Sequence, residues 1–265
     1  MSKVQDVRKS SLTFAPEAGS QRLRNVINKG LTEEVILNGA SLAFKGGWNR
    51  VKLYFMLGIP TETEEDMKGI AELCEKVAEV YYEIPKTERN GKVQITASSS
   101  FFIPKPFTPF QWAPMCTKEQ FLERAKIVNG RMKEMLNKKS IRYNWHEADV
   151  SVIEGLLARG DRKVAKTVLR AYELGCLYDA WSDSYDNEKW QQAIKDTEID
   201  MDFYITRERS TDELLPWDFI DIGVTKKFLK NEWENAKNET VTPNCRMKCN
   251  GCGAVVFGGG VCFEN

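Results

Sequence analysis

The chain has 265 residues, 42% of them hydrophobic and 29% charged, which is typical of a soluble globular protein with one large or two small domains. Basic and acidic residues balance at 38 each, so the net charge of zero favours neither a nucleic acid nor a membrane surface as partner. There is no apolar run of 18 residues, and the opening Met-Ser-Lys-Val-Gln-Asp lacks the apolar segment of a signal peptide. We therefore expect a cytoplasmic protein.

The seven cysteines are distributed unevenly along the chain. An odd number does not suit a disulfide framework, and four cysteines lie within the last 21 residues. This crowding predicts a metal site rather than disulfide bonds.

Predicted strands and helices alternate through the first 145 residues. Runs of β-branched, aromatic and long apolar side chains predict strands at Leu12–Ala15, Val51–Leu57, Val93–Ser99 and Ile141–Trp145. Apolar residues at helical spacing predict helices that begin near Ser20, Thr32, Thr63 and Phe121 and end near Gly30, Phe44, Tyr81 and Met135. Strands that alternate with helices indicate parallel βαβ units.

The stretch Val51–Asp66 carries the clearest signal in this part of the chain. A buried strand is stopped by Gly58 and Pro60, and Thr63 can cap the acidic start of the next helix. Ligands bind at the carboxyl ends of such strands, because loops and helix N-termini converge there. An ordinary βα unit without a ligand is the alternative.

After the predicted fourth strand, the sequence pattern changes from alternating strands and helices to helices alone. Apolar residues indicate one helix that ends at Gly160 and another that ends at Gly175, while Arg159–Arg162 reads as a helix C-cap and turn. Four tryptophans in polar sequence are typical of a satellite core, and these are Trp181, Trp190, Trp217 and Trp233. No basic run interleaves with them, which argues against nucleic-acid binding.

The number of βα units is too small for a closed barrel. Three or four units leave a barrel open with an unpaired strand edge, and the first strand begins about ten residues into the chain. We therefore expect residues upstream of Met1 to belong to the intact protein.

Several segments resemble one family in the same order along the chain. The segments Ser11–Gly30, Val51–Thr63 and Pro104–Trp112 are similar to the later half of a radical SAM (β/α) barrel. The resemblance is to the cobalamin-binding-domain radical SAM proteins of the Elp3/MiaB/NifB-like group. Their C-terminal extension is matched by Ser151–Glu154, Arg159–Arg162, Leu215–Asp218 and the terminal cysteines.

The resemblance implies a binding site for S-adenosylmethionine. Glu17 matches the polar position that holds the ribose or the amino acid part, and a carboxylate offers acceptors for hydroxyls or an ammonium. The other implied positions are the adenine turn Gly58, Ile59 and Pro60, and Gly19 and Ser20, which would let a helix N-terminus approach the ligand. The alternative is that Glu17 interacts with a helix dipole and Gly58 is a plain turn glycine.

One family motif is missing from this chain. Radical SAM enzymes bind a catalytic 4Fe-4S cluster through Cys-x3-Cys-x2-Cys after the first barrel strand, and no such motif precedes Phe14. The isolated Cys74 and Cys116 cannot supply it. We expect the chain as written not to cleave S-adenosylmethionine, and we expect an upstream segment to provide the cluster motif, the other barrel half and a cobalamin-binding domain as partners.

The terminal cysteines have their own spacing motif. Cys245, Cys249 and Cys252 follow the x3 and x2 intervals, and Cys262 comes after a Gly-rich loop. Short intervals let thiolates wrap one centre, which predicts zinc or an auxiliary iron–sulfur cluster. The alternatives are unmetallated cysteines in a disordered tail and a catalytic cluster. His146, after the fourth strand, reads as a structural histidine, with a ligand or acid–base role as the alternative.

Together these features predict an α/β fold made of three parts. Residues 1–145 form a partial radical SAM barrel, residues 146–240 a mainly helical extension, and residues 241–265 a cysteine-rich metal-binding tail. The predicted function is the later part of a radical SAM enzyme that generates a 5′-deoxyadenosyl radical. A non-catalytic, metal-stabilised interaction module is the alternative.

Overall fold

The computed structural model describes residues 11–181 and 183–257. Four parallel strands form one sheet in the order β1-β2-β3-β4. Their bounds are β1 Leu12–Glu17, β2 Arg50–Leu57, β3 Gln94–Phe101 and β4 Ile141–Trp145. The predicted alternation of parallel strands and helices is confirmed, and sheet neighbours are also neighbours along the chain.

Eight α-helices lie within the described ranges. Their bounds are α1 Gln21–Val26, α2 Glu33–Lys45, α3 Glu64–Tyr82, α4 Lys118–Glu134, α5 Ala148–Arg159, α6 Val164–Glu173, α7 Asn187–Asp196 and α8 Lys226–Lys237. Among the described residues, no helix is both long and apolar enough to cross a membrane.

One face of the sheet is covered by helices. Residues alternate between the two faces of a strand, and on β2 the buried set is Val51, Leu53, Phe55 and Leu57. Helix α3 packs against β2, β3 and β4, and α2 packs against β1 and α3. The other face of β2 carries Arg50, Lys52 and Tyr54, of which Arg50 and Tyr54 are exposed and Lys52 is partly exposed. The sheet therefore has a buried apolar face and a more accessible, polar face.

Hydroxyl caps start the first three helices as the sequence predicts. The side chains of Ser20 and Thr32 accept the backbone N–H groups of Leu23 and Val35, at 3.0 and 3.2 Å. Thr63 forms a full capping box with Asp66, in which each side chain accepts a backbone N–H of the other residue.

The ends of the first helix and the first strand differ from the prediction. Helix α1 stops at Val26 instead of Gly30, because Asn28 takes a left-handed conformation with φ 52° and ends the helical ladder. Strand β1 continues past Ala15 to Glu17 through an irregularity in its pairing with β2.

The described residues form two compact units. The first comprises residues up to Phe101, Phe121–His146 and Asn238–Val241, and the second comprises Phe102–Gln120, Glu147–Lys237 and the residues from Thr242. The predicted three-part division, with boundaries after residues 145 and 240, stays a prediction.

The second unit has a core of its own around aromatic side chains. Trp190, Trp217 and Trp233 are buried, as predicted, and Trp217 donates its indole N–H to Gln111 at 2.6 Å. Trp181 is 70% exposed, so its prediction as core was wrong. The sequence prediction also missed α7 and α8, since their buried residues are few and widely spaced.

Arg159 closes helix α5 and is fully buried. Its guanidinium donates to the carbonyls of Pro104 and Tyr204, both at 3.2 Å. Burial lowers the pKa of Arg159 to about 9. The predicted C-cap at Gly160 is present, and the arginine before it also links the backbone at Pro104 and Tyr204 to the helix.

Candidate ligand-binding edge of the parallel sheet

The loops that follow β1 and β2 lie at the same edge of the sheet. The two strands are parallel neighbours, so their carboxyl ends lie at the same edge of the sheet. Arg22, just beyond the first loop, donates to the carbonyl of Thr61 in the second at 2.7 Å and forms an ion pair with Asp66. The expected juxtaposition of these loops is confirmed.

Glu17 ends the first strand at this edge. Its φ of 67° is in the left-handed region, which non-glycine residues rarely adopt. The side chain is 26% exposed, and its carboxylate accepts a hydrogen bond from the ammonium of Lys29 at 3.0 Å. The contact with Lys29 restrains one oxygen of a carboxylate that solvent can still reach.

The turn Gly58–Thr61 follows the second strand. Gly58 and Thr61 both have left-handed backbones, with φ of 85° and 68°, and such a conformation is especially unfavourable for a β-branched residue. Ile59 is buried, whereas Pro60 is partly exposed. Unfavourable conformations of this kind cluster at ligand sites, where the surrounding structure holds them in place.

Glu62 holds this turn from inside the protein. Its side chain is only 2% exposed, and one oxygen accepts the N–H of Gly58 at 2.8 Å and the guanidinium Nε of Arg124 at 3.1 Å. Burial raises the pKa of Glu62 to about 7, although both hydrogen bonds oppose the rise. A buried carboxyl that titrates near neutral pH at a strand end is a common feature of functional sites.

We expect Glu62 to make folding stability depend on pH. Between its ordinary value of 4.5 and about 7, the folded state keeps a proton that the unfolded state releases. Stability from this group is therefore present at acid pH and lost as the pH rises through 7, by up to roughly 3 kcal/mol. Replacement by glutamine keeps an acceptor for the Gly58 amide but cannot ionise.

Urea unfolding of both proteins from about pH 5 to about pH 8 checks this prediction. As the pH rises, the free energy of unfolding of Glu62→Gln should increase relative to that of the parent, because only the parent loses the stabilisation from a protonated Glu62. The other titrating groups contribute equally to both proteins and cancel in this difference. A difference that stays constant across this range would contradict the assignment.

Gly19 and Ser20 make contacts within the protein. A Cβ on Gly19 would lie 2.2 Å from the N atom of Ile70 and 2.5 Å from the carbonyl carbon of Gly69, so the glycine is required for close approach to α3. The Ser20 hydroxyl caps α1 and donates to Asp66. Gly19 and Ser20 therefore have a clear role in packing and capping. Their predicted role in ligand binding stays a prediction, and helix α1 after them has only six residues.

The tail cysteines are only partly described. Cys245 and Cys249 are exposed and Cys252 is partly exposed, while Cys262 lies outside the described residues. Within residues 11–181 and 183–257, no group of three His, Cys, Asp or Glu side chains is arranged to hold a metal ion. The shared metal centre of these four cysteines stays a prediction.

The remaining predicted cysteines and the histidine do not form a metal site in the described ranges. Cys74 is fully buried on α3, and burial raises the pKa of its thiol far above the ordinary value, so the thiolate is disfavoured. His146 is exposed at the end of β4, and its backbone N–H donates to the carbonyl of Ser99 at 3.0 Å. A catalytic 4Fe-4S cluster therefore finds no set of ligands in the part of the chain that the structure describes.

Sequence reasoning missed the pair formed by Glu62 and Arg124. A carboxylate directly after the Gly-Ile-Pro-Thr turn was a usable signal, since that position follows the carboxyl end of a predicted parallel strand. Arg124 gives no local signal, because it is 62 residues away along the chain.

Comparison with known proteins gives one relative. An uncharacterized protein of Methanocaldococcus jannaschii is 38% identical over 160 residues, which cover 60% of this chain and 32% of that protein. The chain thus spans about a third of the length of the relative. No family model matches the chain, and no solved structure matches it significantly.

Proposed function

We propose that the chain is the later part of a radical SAM enzyme and that its sheet edge binds S-adenosylmethionine. The observation that carries this proposal is the sheet itself, whose four consecutive parallel strands have helices on one face and polar side chains on the other. Half of a (β/α) barrel would have this arrangement, and ligands of such barrels bind at the carboxyl ends of the strands.

The residues at the edge suit the polar ribose and methionine parts of this ligand and its planar adenine. The accessible carboxylate of Glu17 can accept hydrogen bonds from ribose hydroxyls or from the ammonium of the methionine part. The turn Gly58–Pro60 offers backbone without a protruding side chain at Gly58, and Glu62 fixes this turn through the Gly58 amide. The chain's own contribution is to bind and orient the ligand.

When bound beside a reduced 4Fe-4S cluster, S-adenosylmethionine supplies a 5′-deoxyadenosyl radical. The described residues fit the binding of S-adenosylmethionine and do not fit the cluster, for which they gather no three ligands. We therefore propose that an upstream barrel half provides the cluster and that a cobalamin-binding domain belongs to the same enzyme. The much greater length of the relative supports a multi-part protein.

Titration calorimetry of the chain with S-adenosylmethionine tests the binding proposal. We expect saturable binding that Glu17→Gln weakens about tenfold, because a charge-assisted hydrogen bond becomes a neutral one. The control is Glu88→Gln, an exposed carboxylate between α3 and β3, near the start of β3 and thus at the opposite end of the strands. This control should bind as the parent does.

Two outcomes contradict the proposal. One is the absence of saturable binding by the parent chain, and the other is an equal affinity of Glu17→Gln and the parent. Either result would remove the assigned role of the sheet edge.

A second candidate function is a non-catalytic, metal-stabilised interaction module. The tail supports it, because Cys245 and Cys249 are exposed and the carbonyl of Cys252 accepts the N–H of Thr225 at 2.9 Å, which anchors the cysteine segment. Metal analysis of the anaerobically reconstituted chain separates the two. Iron with visible absorption favours the enzyme, and zinc alone favours the module.

A further inference from the structure

The accessible face of the sheet carries hydrogen-bond donors and cations. Paired residues of parallel strands share a face, so the register places Lys52, Thr96 and Arg142 in one row across β2, β3 and β4. Tyr54, Ser98 and Asn144 form the next row toward the carboxyl edge. On these three strands, the residues of this face include no aspartate or glutamate.

The cations Lys52 and Arg142 of this face have no carboxylate partner among the described residues. Neither Lys52 nor Arg142 takes part in an ion pair there, although acidic and basic residues are equally numerous in the chain. The Lys52 ammonium lies 4.6 Å from the centre of the Tyr54 ring, which keeps it on this face. Arg142 and Asn144 are exposed, so a ligand can reach the donors directly.

We propose that this face binds a small anion with two or more phosphate or carboxylate groups, and that such a molecule is the substrate class of the enzyme. Lys52 and Arg142 are two strands apart, about 10 Å at the backbone, and their long side chains can close on neighbouring anionic groups of one molecule. The hydroxyl of Thr96 and the amide of Asn144 add neutral donors.

The charge pattern also argues against other occupants. A second copy of the chain on this face would bring like charges together, which is unfavourable in a closed interior. A nucleic acid calls for a basic surface, whereas the chain as a whole has a net charge of zero. The substrate proposal rests on the proposed function, in which Glu17 and Gly58 lie at the carboxyl edge of the same sheet.

Titration calorimetry with inorganic pyrophosphate and with citrate at constant ionic strength tests the site. We expect saturable binding of at least one of them, and the stronger ligand distinguishes a phosphate from a carboxylate preference. Lys52→Gln and Arg142→Gln should each weaken binding about fivefold or more. Lys45→Gln is the matched control, because Lys45 is an exposed cation on α2, which packs on the opposite face.

Several results would overturn the proposal. These are the absence of saturable binding of both anions, the same weakening in Lys45→Gln, and tighter binding of a single-stranded oligonucleotide that depends on Lys52 and Arg142. Glu17→Gln should leave pyrophosphate binding unchanged. Absence of saturable S-adenosylmethionine binding by the parent chain, with intact anion binding, would therefore refute the proposed function separately from this site.

Discussion

Replacing Gly19 with alanine is expected to lower the free energy of unfolding by more than about 3 kcal/mol. The new Cβ would meet three backbone atoms of α3 closer than 3 Å, including the Asp66 carbonyl oxygen at 2.6 Å. Backbone within a helix cannot move aside as a flexible side chain can. Urea unfolding followed by circular dichroism measures the loss.

Gly130 provides the matched control for this substitution. It is an exposed glycine in α4, and a Cβ there would meet no atom within 4 Å. Gly130→Ala should raise stability by about 0.5–1 kcal/mol, because alanine favours a helix over glycine. Equal effects of the two substitutions would mean that the loop after β1 does not pack tightly on α3.

Replacing Asp66 with alanine is expected to cost about 3 kcal/mol at neutral pH. The carboxylate is 3% exposed and pairs with Arg22, accepts the Ser20 hydroxyl and completes the capping box with Thr63. Burial alone would raise the pKa of Asp66, but the hydrogen bonds from Arg22, Ser20 and Thr63 outweigh it and hold the pKa below 3.8. The stabilisation is therefore present at neutral pH and lost as the pH falls through this lowered pKa.

Glu65→Ala is the control for this loss. Glu65 is also in the first turn of α3, but its side chain is 81% exposed, so its ion pair with Lys68 contributes little. Unfolding at about pH 7 should show a large loss for Asp66→Ala and less than about 0.5 kcal/mol for Glu65→Ala. A loss for Asp66→Ala as small as that of the control would show that Arg22 and the capping box do not join the two loops.

Local signals in the sequence were enough to predict much of the first unit. Thr63 and Ser20 were identified as caps because a serine or threonine directly before an apolar run at helical spacing typically caps the N-terminus of the helix. Strand β4 has the predicted bounds, and β2 and β3 differ by one or two residues. The predicted parallel βαβ units also require the loops of Glu17 and Gly58 to lie on the same side of the sheet, as the parallel pairing of β1 and β2 shows.

Contacts between distant segments could not be predicted in the same way. Arg22 and Asp66 are 44 residues apart, and no spacing rule joins them. Gly19 looked like a glycine for ligand approach, but close packing on α3 gives the same sequence signature. In the second unit, the sequence predicted only a helix C-cap and turn at Arg159, although its buried guanidinium donates to two carbonyl groups of distant segments.

A crystal structure of the chain with S-adenosylmethionine tests the assignment of this edge most directly. We expect ligand density at the carboxyl edge of the sheet, with the Glu17 carboxylate on the ribose or the amino acid part and the turn Gly58–Pro60 against the adenine. Density at another place, with this edge unchanged and empty, would contradict it.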